Sequence, residues 1–176
     1  MMEAVKSAKF TASIILGFNP KDFSVKGRMK MLTEGDAGQT RGMLPLGQEL
    51  GITRPLIDVA ATPPGSGSGA MYRSIFAVKS ILGEPVGGGY HNITSAWPWL
   101  KKFKKQPGKE SAYMPSDVGT NLLAIAYGCN YCLYGPIEHA VEVFPAAAMS
   151  DIIVADGARD LGTEIEAGDH PLLKLT

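Results

Sequence analysis

The chain has 176 residues, of which 45% are hydrophobic, so it is long enough to bury one substantial core. Its 17 basic and 17 acidic side chains leave no net charge, whereas a nucleic-acid-binding protein normally carries a basic excess. No run approaches the roughly 20 apolar residues that span a bilayer. No amino-terminal signal pattern is visible, so a cytoplasmic protein is expected. The balanced charge adds the expectation that it has no nucleic-acid partner.

Short apolar runs alternate with helical patterns, and this alternation predicts parallel βα units. In chain order, the predicted elements are a strand over 13–18, a helix over 40–50, a strand over 55–60, a helix over 70–82, a strand over 85–92, helices over 97–105 and 116–126, a strand over 130–134 and a helix over 137–161.

The segments between these elements carry their own signals. Gly27 and two further glycines predict a polar loop between the first strand and the first helix. Pro45 is expected to kink that helix, and Gly51 to cap it in the left-handed conformation. Ser116 is expected to cap the helix that it begins.

Four successive βα units predict an α/β fold with one parallel sheet and a single domain over residues 1–176. A complete eight-unit TIM-type β/α barrel needs about 250 residues, so the chain is either an open four-stranded sheet or about half of a barrel. A half-barrel exposes two sheet edges, which pair readily with other strands. It is therefore expected to form a homo-oligomer or to be completed by a second chain.

Polar residues follow three of the predicted strands. Asn19, Asp58 and Asn92 lie where parallel α/β folds bind their ligands, at the carboxyl ends of strands. A carboxylate and two carboxamides offer acceptors and donors to a flat, nitrogen-rich heterocycle. The alternative for each residue is that it stabilises a turn or caps a helix.

Two glycine-rich segments indicate binding without nucleotide hydrolysis. Loop 63–69, which contains Gly65 and Ser66, precedes a helix and could hold an anion with its backbone amides. It lacks the Lys-Ser/Thr ending of a P-loop. Glycines 87–89 lie within a predicted strand and let a ligand or a neighbouring backbone come close.

The cysteines and histidines predict no metal site. Cys129 and Cys132 have redox or metal spacing, but without a second cysteine pair they are expected to be buried thiols. His91, His139 and His170 do not share the spacing of zinc ligands.

A series of motifs between about Thr11 and Leu173 resembles a known family. The motifs span 25–29, 42–46, 51–62, 65–69, 91–92, 95–97, 100–105, 117–119 and 134–138. In this order they resemble the H subunit of tetrahydromethanopterin S-methyltransferase, a family of methanogenic archaea with bacterial relatives. The family protein is similar to folate- and pterin-dependent methyltransferases built on a full β/α barrel, so about its first three strands are missing here.

The resemblance implies transfer of a methyl group from N5 of methyl-tetrahydromethanopterin to the cobalt(I) of a corrinoid protein. It implies that Asp58 holds the pterin ring and that Asn92, the expected catalytic residue, reaches N5 and stabilises the charge that develops there. Asn19, Gly65, Ser66 and Ser95 complete the expected pterin contacts.

The same resemblance implies a place in methanogenesis, within a complex. The expected partners are a corrinoid-carrying protein and the other components of a methyltransferase complex, with the chain cytoplasmic or at the periphery of a membrane complex. Two alternatives stay open. One is a methyltransferase that uses tetrahydrofolate or serves glycine betaine demethylation, and the other is a non-catalytic, truncated half-barrel.

Overall fold

The computed structural model describes residues 2–166 and 168–174. Within these residues, four parallel strands alternate with helices, which confirms the predicted α/β class. The strands are β1 (Ala12–Leu16), β2 (Arg54–Asp58), β3 (Val86–Gly88) and β4 (Tyr131–Cys132). The helices are α1 (Met2–Ala8), α2 (Val25–Thr33), α3 (Met43–Glu49), α4 (Ser68–Ala77), α5 (His91–Ser95), α6 (Pro98–Phe103), α7 (Tyr113–Ala126) and α8 (Ala140–Asp160). The predicted domain limits, residues 1 and 176, lie outside the described residues.

The sheet has one covered and one uncovered face. Its strands lie in chain order, and each neighbouring pair is parallel. Ile15 pairs with Ile57, which pairs with Val86, and these three buried side chains define the helix-covered face. Because side chains alternate along a strand, the paired residues Ile14 and Leu56 lie on the opposite, open face, where both are exposed.

Helix α4 supplies much of the core beneath the helix-covered face. Met71, Ile75 and Val78 recur at helical spacing and are fully buried in the same cluster as the strand residues. A π-helical turn over Val78–Leu82 extends α4, and Gly83 ends it with a φ of 69°. The predicted helix over 70–82 is therefore confirmed.

Helix α2 lies where the sequence predicts a polar loop, so that prediction is wrong. Ser24 caps the helix by accepting a hydrogen bond from the Gly27 backbone N–H at 3.1 Å. Arg28, Met31 and Leu32 are buried on its inner side. Gly27 suggested a loop, but a Cβ there would lie 2.5 Å from the carboxyl carbon of Asp22, so glycine is required by close packing.

Several predicted helix and strand ends also differ from the structure. Pro45 is the third residue of α3 and lies in its first turn. A backbone N–H at that position has no intrahelical partner, so proline breaks no hydrogen bond there and the reason for the expected kink is removed. Gly51 has the expected positive φ, 92°. Strand β3 is shorter than the predicted 85–92. Ser116 lies inside α7 and donates to the Ala112 carbonyl at 2.9 Å, so it is not a cap.

The carboxy-terminal part of the described chain is dominated by α8, which packs mainly on α7. A short 3-10 turn over Ile137–His139 precedes α8, so the predicted helix over 137–161 forms in two parts. Within residues 2–166 and 168–174, no helix combines the length and apolarity needed to cross a membrane.

Candidate active site at the carboxyl ends of the strands

Three successive glycines, Gly87 to Gly89, each lie close to a polar side chain of the candidate site. A Cβ on Gly87 would lie 2.7 Å from ring carbon Cδ2 of Tyr131. A Cβ on Gly88 would lie 2.9 Å from Oδ1 of Asp58, and one on Gly89 would lie 2.9 Å from Nδ2 of Asn92. Since real Cβ atoms do not come this close, glycine at all three positions lets these side chains pack against one short stretch of backbone.

Asp58 ends β2 on the open face, in register with Leu16 of β1 and Gly87 of β3. Its Oδ1 accepts a hydrogen bond from the Ala60 backbone N–H at 2.8 Å. Burial raises the pKa of the Asp58 carboxyl, and the Ala60 N–H partly offsets this effect. Among the described residues, no hydrogen bond reaches Oδ2, so one carboxyl oxygen can accept from a ligand.

Asn92 follows β3 as the second residue of the short helix α5. Its backbone N–H donates to the Gly89 carbonyl at 3.0 Å, which fixes the turn that carries the side chain. The side chain is exposed and makes no hydrogen bond within the described part of the chain. The carboxamide can therefore both donate to and accept from a molecule above Gly89.

Tyr131 is the site residue that the sequence did not indicate. It begins β4, directly in register with Gly87 and hence in line with Asp58. Its hydroxyl oxygen is buried and has no hydrogen-bond partner among the described residues. Burial chiefly raises the pKa of the phenol, and the negative charge of Asp58 adds to this effect. The hydroxyl therefore stays protonated and can act as a donor.

Asn19 is fully buried and organises its own loop. Its Oδ1 accepts from the backbone N–H groups of Lys21 and Asp22 at 3.0 and 3.3 Å. Its Nδ2 donates to the Gly27 carbonyl at 3.3 Å and to Oδ2 of Asp36 at 3.2 Å. Because both ends of the carboxamide are engaged, this geometry favours the turn-stabilising alternative over direct contact with a ligand.

The other predicted contacts lie apart from the glycine strand. Gly65 has a φ of 88°, and the Ser66 N–H closes a turn by donating to the Pro63 carbonyl at 3.0 Å. This turn leads into α4, whose first residues have no side-chain cap. Ser95, at the end of α5, lines a cavity of about 560 Å³ together with Lys101 and other residues. The structure thus brings Asp58 and Asn92 together but records no contact that joins them to these three residues.

A second buried carboxylate lies close to the same edge of the sheet. Asp117 of α7 is fully buried, and its Oδ2 accepts from the Tyr134 hydroxyl at 2.7 Å. Burial raises the pKa of Asp117, and the Tyr134 hydrogen bond opposes this rise. Tyr134 also meets the His91 ring edge-on, with 5.7 Å between ring centroids. This network fixes the start of α5, which carries Asn92.

The two cysteines are only partly as expected. Their sulfur atoms lie 3.8 Å apart, Cys129 is half-buried and Cys132 is exposed, so the prediction of two buried thiols is wrong for Cys132 and only partly met by Cys129. Across residues 2–166 and 168–174, no three His, Cys, Asp or Glu side chains come together as a metal site requires.

Known proteins can be aligned with most of this chain. The family described as tetrahydromethanopterin S-methyltransferase MtrH subunit matches residues 1–166. Over 167 residues the chain is 54% identical to the H subunit of this enzyme from Methanosarcina acetivorans, an alignment that covers 94% of the chain and 53% of the relative. The corresponding proteins of Methanosarcina barkeri and Methanothermobacter marburgensis are 51% and 46% identical, each aligned over 99% of the chain. These alignments cover 56% and 55% of the two relatives, so the chain spans about half their length.

Proposed function

Because the chain belongs to the MtrH family of tetrahydromethanopterin S-methyltransferase subunits, we propose that it forms part of a methyltransferase site. The site would pass a methyl group from N5 of methyl-tetrahydromethanopterin to the cobalt(I) of a corrinoid protein during methanogenesis. The observation that carries this proposal is the packing of Asp58 and Asn92 on successive glycines at the carboxyl ends of β2 and β3.

The Asp58 carboxylate suits the hydrogen-bond donors of a reduced pterin. A ring N–H and an exocyclic amine of the pterin both need acceptors, and the free Oδ2 of Asp58 provides one beside the engaged Oδ1. A fixed carboxylate would thereby orient the heterocycle over the glycine strand. Loop 63–69 and Ser95 are further contacts in this proposal, whereas Asn19 would act by shaping its loop.

Asn92 would act on the reacting nitrogen itself. N5 departs readily as a neutral amine only when it is protonated, and the exposed carboxamide oxygen of Asn92 can accept a hydrogen bond from that N–H. The carboxamide dipole of Asn92 would stabilise the charge that develops at N5. The methyl–nitrogen bond breaks as the methyl–cobalt bond forms, and the electron pair of the broken bond remains on N5.

We also propose that the sheet is about half of a β/α barrel. The strands follow one another in chain order, the helices cover one face and apolar residues line the other, as in the wall of such a barrel. The relatives are nearly twice as long as the aligned region, which agrees with further βα units elsewhere. A second copy or a chain with the remaining units would complete the wall, and light scattering with and without that chain tests this.

The decisive experiment measures methyl transfer by the completed assembly. This assembly is the chain together with the second copy, or with the chain that carries the remaining βα units. Methyl-tetrahydromethanopterin and a cobalt(I) corrinoid protein are supplied, and the corrinoid absorbance reports the methylated product. Methyl-tetrahydrofolate in a parallel reaction tests the alternative donor. If neither donor yields methyl transfer, the proposed function is refuted.

Asn92→Ala is expected to lower the transfer rate at least about tenfold, or roughly 1.4 kcal/mol at the transition state. The reason is loss of the carboxamide that meets N5. Gln106→Ala removes another exposed carboxamide, in the turn after α6, and serves as the matched control. An unchanged rate for Asn92→Ala, or an equal loss in both variants, would contradict the role given to Asn92.

A further inference from the structure

Tyr131 combines a fixed ring with a hydroxyl that has no partner among the described residues. The ring lies against Gly87, where any larger residue would displace it. The hydroxyl oxygen is buried from solvent and makes no hydrogen bond with the described part of the chain. A buried hydroxyl without a partner is costly, so a polar group at this position calls for an explanation. Because solvent does not reach the oxygen, neighbouring side chains are the first candidates for a partner.

Three titratable groups interact electrostatically with Tyr131, and one of them, Asp58, lies in register with it across Gly87. Asp58 and the Cys129 thiol both raise the pKa of Tyr131, and Asp58 has the larger effect of the two. The third group, Tyr90, faces the Cys129 thiol and partly offsets the raised pKa of that thiol. An ionised carboxylate is a much stronger acceptor than a thiol. Asp58 is therefore the natural partner, since no hydrogen bond from the described residues reaches its Oδ2 and it lies in register with Tyr131 across Gly87.

We propose that Tyr131 is a positioning residue of the pterin site, whose hydroxyl donates to Oδ2 of Asp58 and holds that carboxylate turned toward the ligand. The pterin in this inference rests on the proposed function, whereas the pairing of Tyr131 with Asp58 does not depend on it. The oxygen lone pairs left free on Asp58 would then point along the strand end toward the pterin donors. Tyr131→Phe would keep the ring on Gly87 and remove only this hydrogen bond.

The charged and titratable groups around Asp58 come from three neighbouring elements. Tyr131 lies on β4, and Tyr90, whose pKa Asp58 also raises, lies between β3 and α5. On the α2 side, Nε of the buried Arg28 donates to the carbonyl of Val59, the residue after Asp58, at 3.0 Å. Any change in the titration of Asp58 must therefore be tested against Tyr90 as well as Tyr131.

The first test titrates the Asp58 carboxyl carbon by NMR in the chain itself, without a ligand. Tyr131→Phe is expected to raise the pKa of Asp58 by about one unit, because the ionised form loses a donor. Tyr90→Phe and the exposed Tyr127→Phe are the controls and should leave it unchanged. An unchanged Asp58 pKa in Tyr131→Phe, or the larger rise in Tyr90→Phe, would overturn the pairing.

The second test measures binding of methyl-tetrahydromethanopterin to the completed assembly across pH. Tyr131→Phe should weaken binding about tenfold at neutral pH. As the pH is lowered, the variant should also lose binding at a higher pH than the parent does. In an Asp58→Asn background, Tyr131→Phe should change binding less than about twofold, because the partner is gone. Equal losses in both backgrounds would show a merely structural role and overturn the inference. If the parent assembly binds no pterin, the proposed function fails, while the NMR titration still decides whether Tyr131 pairs with Asp58.

Discussion

The two faces of the sheet differ although the same strands build both. On the helix-covered face, Ile15 and Ile57 are 6% and 0% exposed. On the open face, the neighbouring residues Ile14 and Leu56 are 47% and 38% exposed. Continuous apolar strands of this kind belong in sheets that are covered on both sides. The sequence of the strands therefore suits two covered faces, and the described residues cover one of them.

The residues proposed to bind the pterin lie with the uncovered side. By register, Asp58 and Tyr131 point to the open face at the carboxyl end of the sheet, and Leu16 lies beside Asp58. The helix-covered face provides the rigid support from which these side chains project. The core that stabilises the fold and the proposed binding residues are thus separated across one layer of backbone.

The largest expected effect is on the helix-covered face. Ile57→Ala should lower the free energy of unfolding by about 3 kcal/mol, because it leaves a cavity in a fully buried cluster. Urea denaturation followed by circular dichroism measures the change. Leu56→Ala, one residue earlier on the open face, should cost at most about 1 kcal/mol. Similar losses in the two variants would show that the open face is buried in solution.

A smaller effect is expected where the two faces meet, at the glycine strand. Gly87→Ala should destabilise the fold by about 2 kcal/mol, because its Cβ would collide with the Tyr131 ring and the adjoining backbone. It should also displace Tyr131 from Asp58 and weaken pterin binding. Thermal unfolding and ligand binding measure these two effects.

Gly119→Ala provides the matched control for that substitution. Gly119 lies within α7 with open space where a Cβ would stand, so alanine should add about 0.5 to 1 kcal/mol of helix stability. A Gly87→Ala variant as stable as Gly119→Ala would mean that the glycine strand does not require close packing.

Elements with a simple pattern could be predicted from the sequence. The runs at 13–18 and 55–60 are apolar almost throughout, and they form β1 and β2 within two residues of the predicted limits. The position of Asp58 at the end of β2 followed from the same pattern, whereas Asn92, expected at the end of a longer third strand, lies in α5. Helix α2 was missed because Gly27 has low helix propensity, and burial of Arg28, Met31 and Leu32 outweighs that propensity.

The contribution of Tyr131 could not be predicted for a different reason. Its importance depends on the register of β4 with β3, which places it over Gly87 and in line with Asp58. Register between strands that are far apart in the chain is set by tertiary packing and not by local sequence. The triple glycine predicted a close approach, but only the structure identifies the side chains that make it.

The smallest expected effect has the opposite sign and arises from the charge on the open face. Burial raises the pKa of Asp58, so the folded state binds a proton more tightly than the unfolded state does. The free energy of unfolding therefore falls as the pH rises from the ordinary aspartate value, about 3.9, through the raised value, and stays lowered above it. Asp58→Asn removes this penalty and should be slightly more stable than the parent at neutral pH, while pterin binding is weakened but still measurable. The gain should shrink as the pH falls and vanish near the ordinary value, and Asp169→Asn, at an exposed turn residue, should show no such trend. A gain that is constant with pH would instead place its origin in packing, and the Asp58 charge would not be what opposes folding on this face.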